Sequence, residues 1–358
     1  MKKKLILLTS AIFIFIAGSA QDQKGGVALL QSTSISGEWF LGFKYDDSED
    51  ISAFHLKRGY FTIKTELNDI FSVRYTQDIT TDMEGSDMGN VEMKLKYLLL
   101  KAKLSNIDFL KNSYLEFGMV HRPWLEYEQN ISGYRVQGKM FSDRYSLLSS
   151  ADFGVTFAGL LGGKINQEYQ DDVSSYFPGR YGSFCFGIYN GGGYDALEEN
   201  NNKIIEGRIS LRPLPDIVPG IQLSYAFSYG KANTSLENSL YRLNIVHLSS
   251  ISRHHKLMVQ YYRGLGGHRD KYTDAEGLSY KNEGYSGFAE LMIPGTPFAV
   301  FSRYDKFTSH QDTEIIQNTF IAGITYRFLR NKVLLNFDQN ENMGVYTRIY
   351  ELALEINF

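Results

Sequence analysis

One cysteine, Cys185, and seven prolines are all that 358 residues contain of either type. A single thiol excludes an intramolecular disulfide, and its place mid-chain excludes a lipid-bearing cysteine at a leader junction. Past residue 17 no stretch approaches the roughly 18 uninterrupted apolar residues that a spanning helix needs. Basic excess is absent too: the net charge is -3, so a polybasic nucleic-acid surface is not expected. Gly191-Gly192-Gly193 lack a following Lys-Ser/Thr and are not a phosphate-binding loop. His254 and His255 are adjacent, so in a strand their rings face opposite ways and cannot share a metal. No metal site and no cofactor are implied.

What the chain has instead is 25 Tyr, 24 Phe and 33 Gly, a composition that favours strands and tight turns over helices. Its mean hydropathy is -0.26. That value suits a soluble protein, and it equally suits a membrane barrel in which every second residue faces water. The start reads as an export signal: Lys2, Lys3 and Lys4, an apolar stretch from Leu5 to Ala17, then Gly18-Ser19-Ala20 before Gln21. Residues 1–20 are therefore expected to be cleaved near Ala20, 21–34 to form an N-terminal periplasmic segment, and 35–358 to form the barrel.

Period two carries that expectation. Ile221, Leu223, Tyr225, Phe227 and Tyr229 alternate with Gln222, Ser224, Ala226 and Ser228. Phe320, Ala322, Ile324, Tyr326 and Phe328 form a second such face. In a third segment Val91, Met93, Leu95, Tyr97 and Leu99 are read as one face against Glu92, Lys94, Lys96, Leu98 and Leu100. At the C-terminus Tyr350, Leu352, Leu354, Ile356 and Phe358 share a face, the pattern of an assembly signal read by the barrel-assembly machinery. Charges keep to one face, as lipid exposure enforces at roughly 2–4 kcal/mol for a midplane Lys or Arg.

About sixteen segments of the roughly 9–11 residues that a tilted spanning strand requires follow one another. Short connections alternate with long ones, such as Thr80 to Asn90, Pro123 to Ser149, Gly191 to Asn202 and Gly264 to Lys281. Leu160 to Arg180 breaks the rule, being too long for a periplasmic turn; it implies either a strand extended through Ile165 or a count wrong by a pair. An open sheet edge would leave unpaired backbone groups in hydrocarbon, so the expected fold is all-β, a closed transmembrane antiparallel β-barrel of about 16 strands in the bacterial outer membrane.

Several segments resemble the phosphate-selective porin O and P family: Phe54-His55-Leu56-Lys57-Arg58-Gly59-Tyr60 leading to Phe71-Ser72-Val73-Arg74-Tyr75, Leu115 to Trp124, Phe141-Ser142-Asp143-Arg144 with Asp152-Phe153-Gly154-Val155, and Gly187 to Gly191. The resemblance implies a homotrimeric channel with a long loop folded into the lumen, by position Pro123 to Ser149, and passive diffusion of small hydrophilic solutes, including anions such as phosphate. Alternation assigns Arg58, Lys64, Arg74, Lys94, Lys96, Arg122, Arg208, Arg212 and Arg327 to the lumen, and Arg135, Lys139 and Arg144 to the long loop. Guanidinium forks suit oxyanions because they pair with two oxygens at once. Glu66, Asp78, Glu92, Glu116, Glu206, Glu351 and Glu355 fall on the same faces, so mutual pairing of lumen charges is the competing reading. Lipid and lipopolysaccharide are the expected surroundings. Two other classes share the outer face: a non-conducting structural or secretion-associated barrel, and a barrel hydrolase, which needs a nucleophile beside a base. The seven histidines show no such pairing in sequence, so no enzyme is expected.

Overall fold

A computed structural model describes residues 31–83, 85–86, 88–104, 112–269 and 271–358. The export signal and residues 21–30 of the 21–34 segment lie outside the described residues. Sixteen strands follow in order: β1 (Thr33–Asp46), β2 (Ile51–Glu66), β3 (Phe71–Thr81), β4 (Val91–Lys103), β5 (Ser113–His121), β6 (Ala151–Leu161), β7 (Gly182–Tyr189) and β8 (Ile204–Leu211). The second half comprises β9 (Ile221–Lys231), β10 (Leu240–Ile251), β11 (His255–Leu265), β12 (Lys281–Met292), β13 (Phe298–Ser309), β14 (Ile315–Phe328), β15 (Asn331–Asn342) and β16 (Val345–Asn357). Each pairs antiparallel with the next, and β1 pairs with β16, Glu38 opposite Asn357, so the sheet closes and has no edge.

Alternation sorts the side chains as expected. Along β9, Leu223, Tyr225 and Tyr229 stand outward and exposed while Gln222, Ser224, Ala226 and Ser228 are buried inside. Along β16, Tyr350 and Leu352 are exposed outside while Glu351, Ala353 and Glu355 point in. The rim holding the start of β1 and the end of β16 is the lower rim, and the opposite one the upper.

Two bulges disturb the period, both in the wall formed by β1 to β4. In β2 the register against β1 skips Lys57, and in β4 the register against β3 skips Lys96. An extra residue shifts every side chain beyond it to the other face. The reading that put Tyr97 and Leu99 outward with Val91 and Met93 is thereby corrected: beyond Lys96 the phase flips, Tyr97 and Leu99 are buried inside, and Leu98 and Leu100 are exposed. Each bulge thus adds one lysine to the lumen, next to an inward Arg58 or Tyr97.

The long upper connection between β5 and β6 does fold inward. It carries α1 (Leu125–Ser132) and α2 (Phe141–Arg144) and lies against the inner face of the far wall. Tyr127, Tyr134, Phe141, Tyr145 and Leu147 pack there with Tyr241, Tyr262, Phe288, Phe301 and Phe307, an apolar core inside the barrel. The Leu160 to Arg180 anomaly resolves without changing the strand count. A Lys164–Gly179 bridge extends the hairpin slightly, and the remainder, including α3 (Gln167–Asp172), folds across the lower opening.

Candidate functional site

Because the loop fills the side against β9 to β14, open space remains between the loop and the β1–β4 wall. An upper cavity of about 640 Å³ and a lower one of about 730 Å³ share four lining residues, Tyr60, Lys96, Gln129 and Arg135. These four border both cavities and so mark the junction, or constriction, between them. Tyr60 and Lys96 come from the wall; Gln129 sits on α1 and Arg135 just after it.

The electrostatics of that constriction are one-sided. Lys96 is 6% exposed, with its ammonium 4.1 Å from the centre of the Tyr60 ring and 5.6 Å from that of Tyr97. The Arg135 Nε is buried without a hydrogen-bond partner. Among the described residues no carboxylate lies within 4.0 Å of Lys64, Lys96 or Arg135. Below the constriction the cavity wall carries Lys64, Arg74, Lys96, Arg135, Lys256, Arg330 and Lys332 against Glu38, Glu126, Asp171 and Glu355. Above it stand Arg58, Lys94, Lys96, Arg135, Lys139 and Arg269 against Asp82, Glu92, Asp143 and Asp195. A chain of net charge -3 therefore encloses a space whose walls are richer in cations than in anions.

The other cations of this wall are partly paired. Arg58 donates to Asp78 through Nε at 2.7 Å and to the Tyr194 hydroxyl at 2.5 Å. Arg74 lies 4.5 Å from the centre of the Tyr97 ring and 2.6 Å from His121 Nε2. Lys94 sits 3.1 Å from Glu92 and 3.9 Å from Asp195. Lys139, more than half exposed, is 3.7 Å from Asp143. The bulge residue Lys57 pairs with Glu351 and donates to the Gln137 carbonyl at 3.0 Å.

Four of the candidate arginines lie elsewhere, where they hold the loop and lower segment in place. Arg122 is 2% exposed and bound to Glu206, which also accepts from Ser228 at 2.6 Å. Arg144 donates to Asn340 at 3.1 Å and sits 3.9 Å from Asp305 and 3.8 Å from Asp338. Arg208 donates to the Pro123 carbonyl and to Ser183, both at 3.0 Å, beneath the Tyr127 ring. Arg212 donates to the Pro219 carbonyl and stacks on Tyr169. Mutual pairing of lumen charges thus describes Arg58, bound to Asp78, together with Arg122, Arg144 and Arg327, the last bound to Glu290. It does not describe Lys96 and Arg135.

The loop is set by charge as well as packing. α1 ends at Gly133, whose φ of 68° lies in the left-handed region that glycine tolerates. Its last carbonyls accept from two lysines, Ser132 from Lys256 at 3.1 Å and Gly133 from Lys332. Cations at a helix C-terminus are favoured there by the helix dipole. On the buried face of α1, Glu128 accepts from Gln260 at 2.9 Å and Trp124 at 3.1 Å, and burial pushes its carboxyl up to about 7. Sequence reasoning missed Tyr60, Gln129, Lys256 and Lys332 as site residues. The bulge at Lys96 had a signal, a run of Leu98-Leu99-Leu100 that period two cannot satisfy on one face.

Neither His121 nor His255 has the nucleophile and carboxylate that a hydrolytic base needs on its two ring nitrogens. His121 has Glu116 at 2.7 Å on Nδ1, but Arg74 faces its Nε2. His255 meets the hydroxyls of Ser250 and Ser252, each at 2.9 Å, with no carboxylate behind it.

No family model and no curated protein matches the sequence. In fold the chain is similar to solved outer-membrane barrels. A loop-deletion form of OmpT, an outer membrane protein of Vibrio cholerae, superposes with a TM-score of 0.61 at 10% identity, covering 91% of this chain and 99% of that one. An anion-selective porin from Comamonas acidovorans gives 0.59 at 10% identity, again with 91% and 99% covered. OmpF of Salmonella typhi, in complex with daunomycin, gives 0.58 at 13% identity, with 91% and 97% covered.

Proposed function

We propose that this chain is an outer-membrane diffusion pore for small hydrophilic solutes, exported with loss of residues 1–20. The closed barrel, its apolar exterior and its likeness to porins support that reading, and the single observation that carries it is the pair of polar cavities meeting at Tyr60, Lys96, Gln129 and Arg135. The site passes solute by replacing part of its hydration with fixed charges and hydroxyls, weakly enough for release. Lys96 and Arg135, without carboxylate partners, together with Arg58, Arg74 and Lys94 along the wall, favour anions. Phosphate is the specific candidate, through the resemblance to the phosphate-selective family, and a homotrimer rests on the same ground.

Planar-bilayer recording tests the reading. Stepwise currents are expected, with a reversal potential in a salt gradient that reports anion preference and a chloride current that inorganic phosphate reduces. Silence from correctly folded protein would return the non-conducting barrel to first place. Conduction by cations without a phosphate effect would remove the anion reading and leave the pore.

A further inference from the structure

The lower-rim segment from Gly162 to Tyr181 is far longer than a turn between two paired strands requires, and its position has a physical consequence. Its ends are joined by backbone hydrogen bonds, Ile165 N to Pro178 O at 2.8 Å and Arg180 N to Gly163 O at 2.9 Å. Its middle lies inward. Phe177 adopts a φ of 47°, a left-handed conformation that costs a bulky residue about 1–2 kcal/mol. That strain is offset because the turn sends the Phe177 ring into the barrel, 5.0 Å from the Tyr127 ring of the inward loop and 5.0 Å from the Arg208 guanidinium. Tyr169 of α3 is buried against Arg212 in the same way. Four strands further around the barrel, Arg253 of the β10–β11 turn pairs with Asp172 and lies 3.4 Å from Glu168. Three anchors on separate elements therefore hold the segment across the opening. Between them Gln170, Asp171, Ser174 and Tyr176 line the lower cavity, and Tyr176 is 53% exposed there.

We infer that residues 164–179 form a second filter at the lower mouth of the pore, in series with the Lys96–Arg135 constriction, with Tyr176 lining the solute path. The inference rests on the pore reading above. It also explains why Arg208 and Arg212 face inward yet stay out of the solute path: each is the inner anchor of this segment.

Two variants test it. Deleting Lys164 to Gly179 joins Gly162-Gly163 to Arg180-Tyr181, a four-residue connection between the paired Leu161 and Gly182. Two narrow sections act as resistances in series, so single-channel conductance is expected to rise by up to about twofold, with larger uncharged solutes admitted in liposome swelling. Because the deletion can also impair folding, Tyr176→Cys gives an independent measurement in an otherwise intact chain, Cys185 being buried. A bulky charged methanethiosulfonate reagent added to the lower side is expected to cut the single-channel current by roughly a third or more in Tyr176→Cys and not in wild type. If wild type conducts while Tyr176→Cys is insensitive to the reagent, the second filter is wrong and the pore stands. If folded wild type does not conduct, the pore reading falls and takes this inference with it.

Discussion

Neutralising Lys96 and Arg135 together, as Lys96→Gln with Arg135→Gln, is expected to reduce anion preference more than any other pair of changes in this chain. Both side chains border the constriction, and no carboxylate of the described residues stands within 4.0 Å of either. An anion passing about 4 Å from each gains about 1 kcal/mol per charge at the dielectric constant of water. Two such charges are worth about 2 kcal/mol, or roughly a 30-fold change in anion occupancy, and cations shift the opposite way. Screening at 0.1 M salt acts over about 10 Å, longer than the approach distance, so most of the effect survives. The anion-to-cation permeability ratio, taken from the reversal potential in a potassium chloride gradient, is therefore expected to fall by at least about tenfold in the double variant. Each single variant should produce about half of that on a logarithmic scale, and at 1 M salt, where screening acts over about 3 Å, the difference should shrink. Arg180→Gln serves as control, since Arg180 is exposed at the lower rim against Asp216 at 2.9 Å. An unchanged reversal potential in a folded double variant would refute the assignment of selectivity to this constriction.

Other outcomes follow from the same geometry. Glu206→Ala leaves the Arg122 guanidinium buried without its carboxylate, at a cost of about 3–5 kcal/mol, to be read as a lowered urea midpoint in detergent or lipid; a wild-type midpoint contradicts the pairing. Leu352→Arg puts a charge on the exposed outer face of β16, and a loss of about 2–4 kcal/mol in lipid but far less in a polar detergent is expected if that face meets hydrocarbon. The raised carboxyl of Glu128 makes docking of the loop strongest below the ordinary carboxylate value of 4.5 and progressively weaker as pH rises through about 7, because the undocked form gives up its proton first. Current fluctuations from loop movement should accordingly increase between pH 5 and 8 in wild type and lose their pH dependence in Glu128→Gln; equal pH dependence in both would assign the effect elsewhere.

Period two is a local property, and it was enough to read the architecture. About sixteen segments and most of their outward faces were legible because lipid on one side and water on the other constrain every second side chain of each strand independently, whereas the inward placement of the long loop was expected only from the family resemblance. The anomaly at Leu160 to Arg180 was visible as length alone. Which inward arginines are free was not legible. Arg122 finds Glu206 across 84 residues, and Arg208 and Arg212 are taken up by the loop and the lower segment, pairings that exist only once the barrel closes. The bulge at Lys96 likewise depends on register against β3, and it alone turns Tyr97 inward and brings a lysine without a carboxylate partner to the junction of the two cavities. Composition and alternation determined a cylinder with a wet interior; long-range packing decided where in that interior charge remains available to a solute, because availability is what is left after distant partners have met.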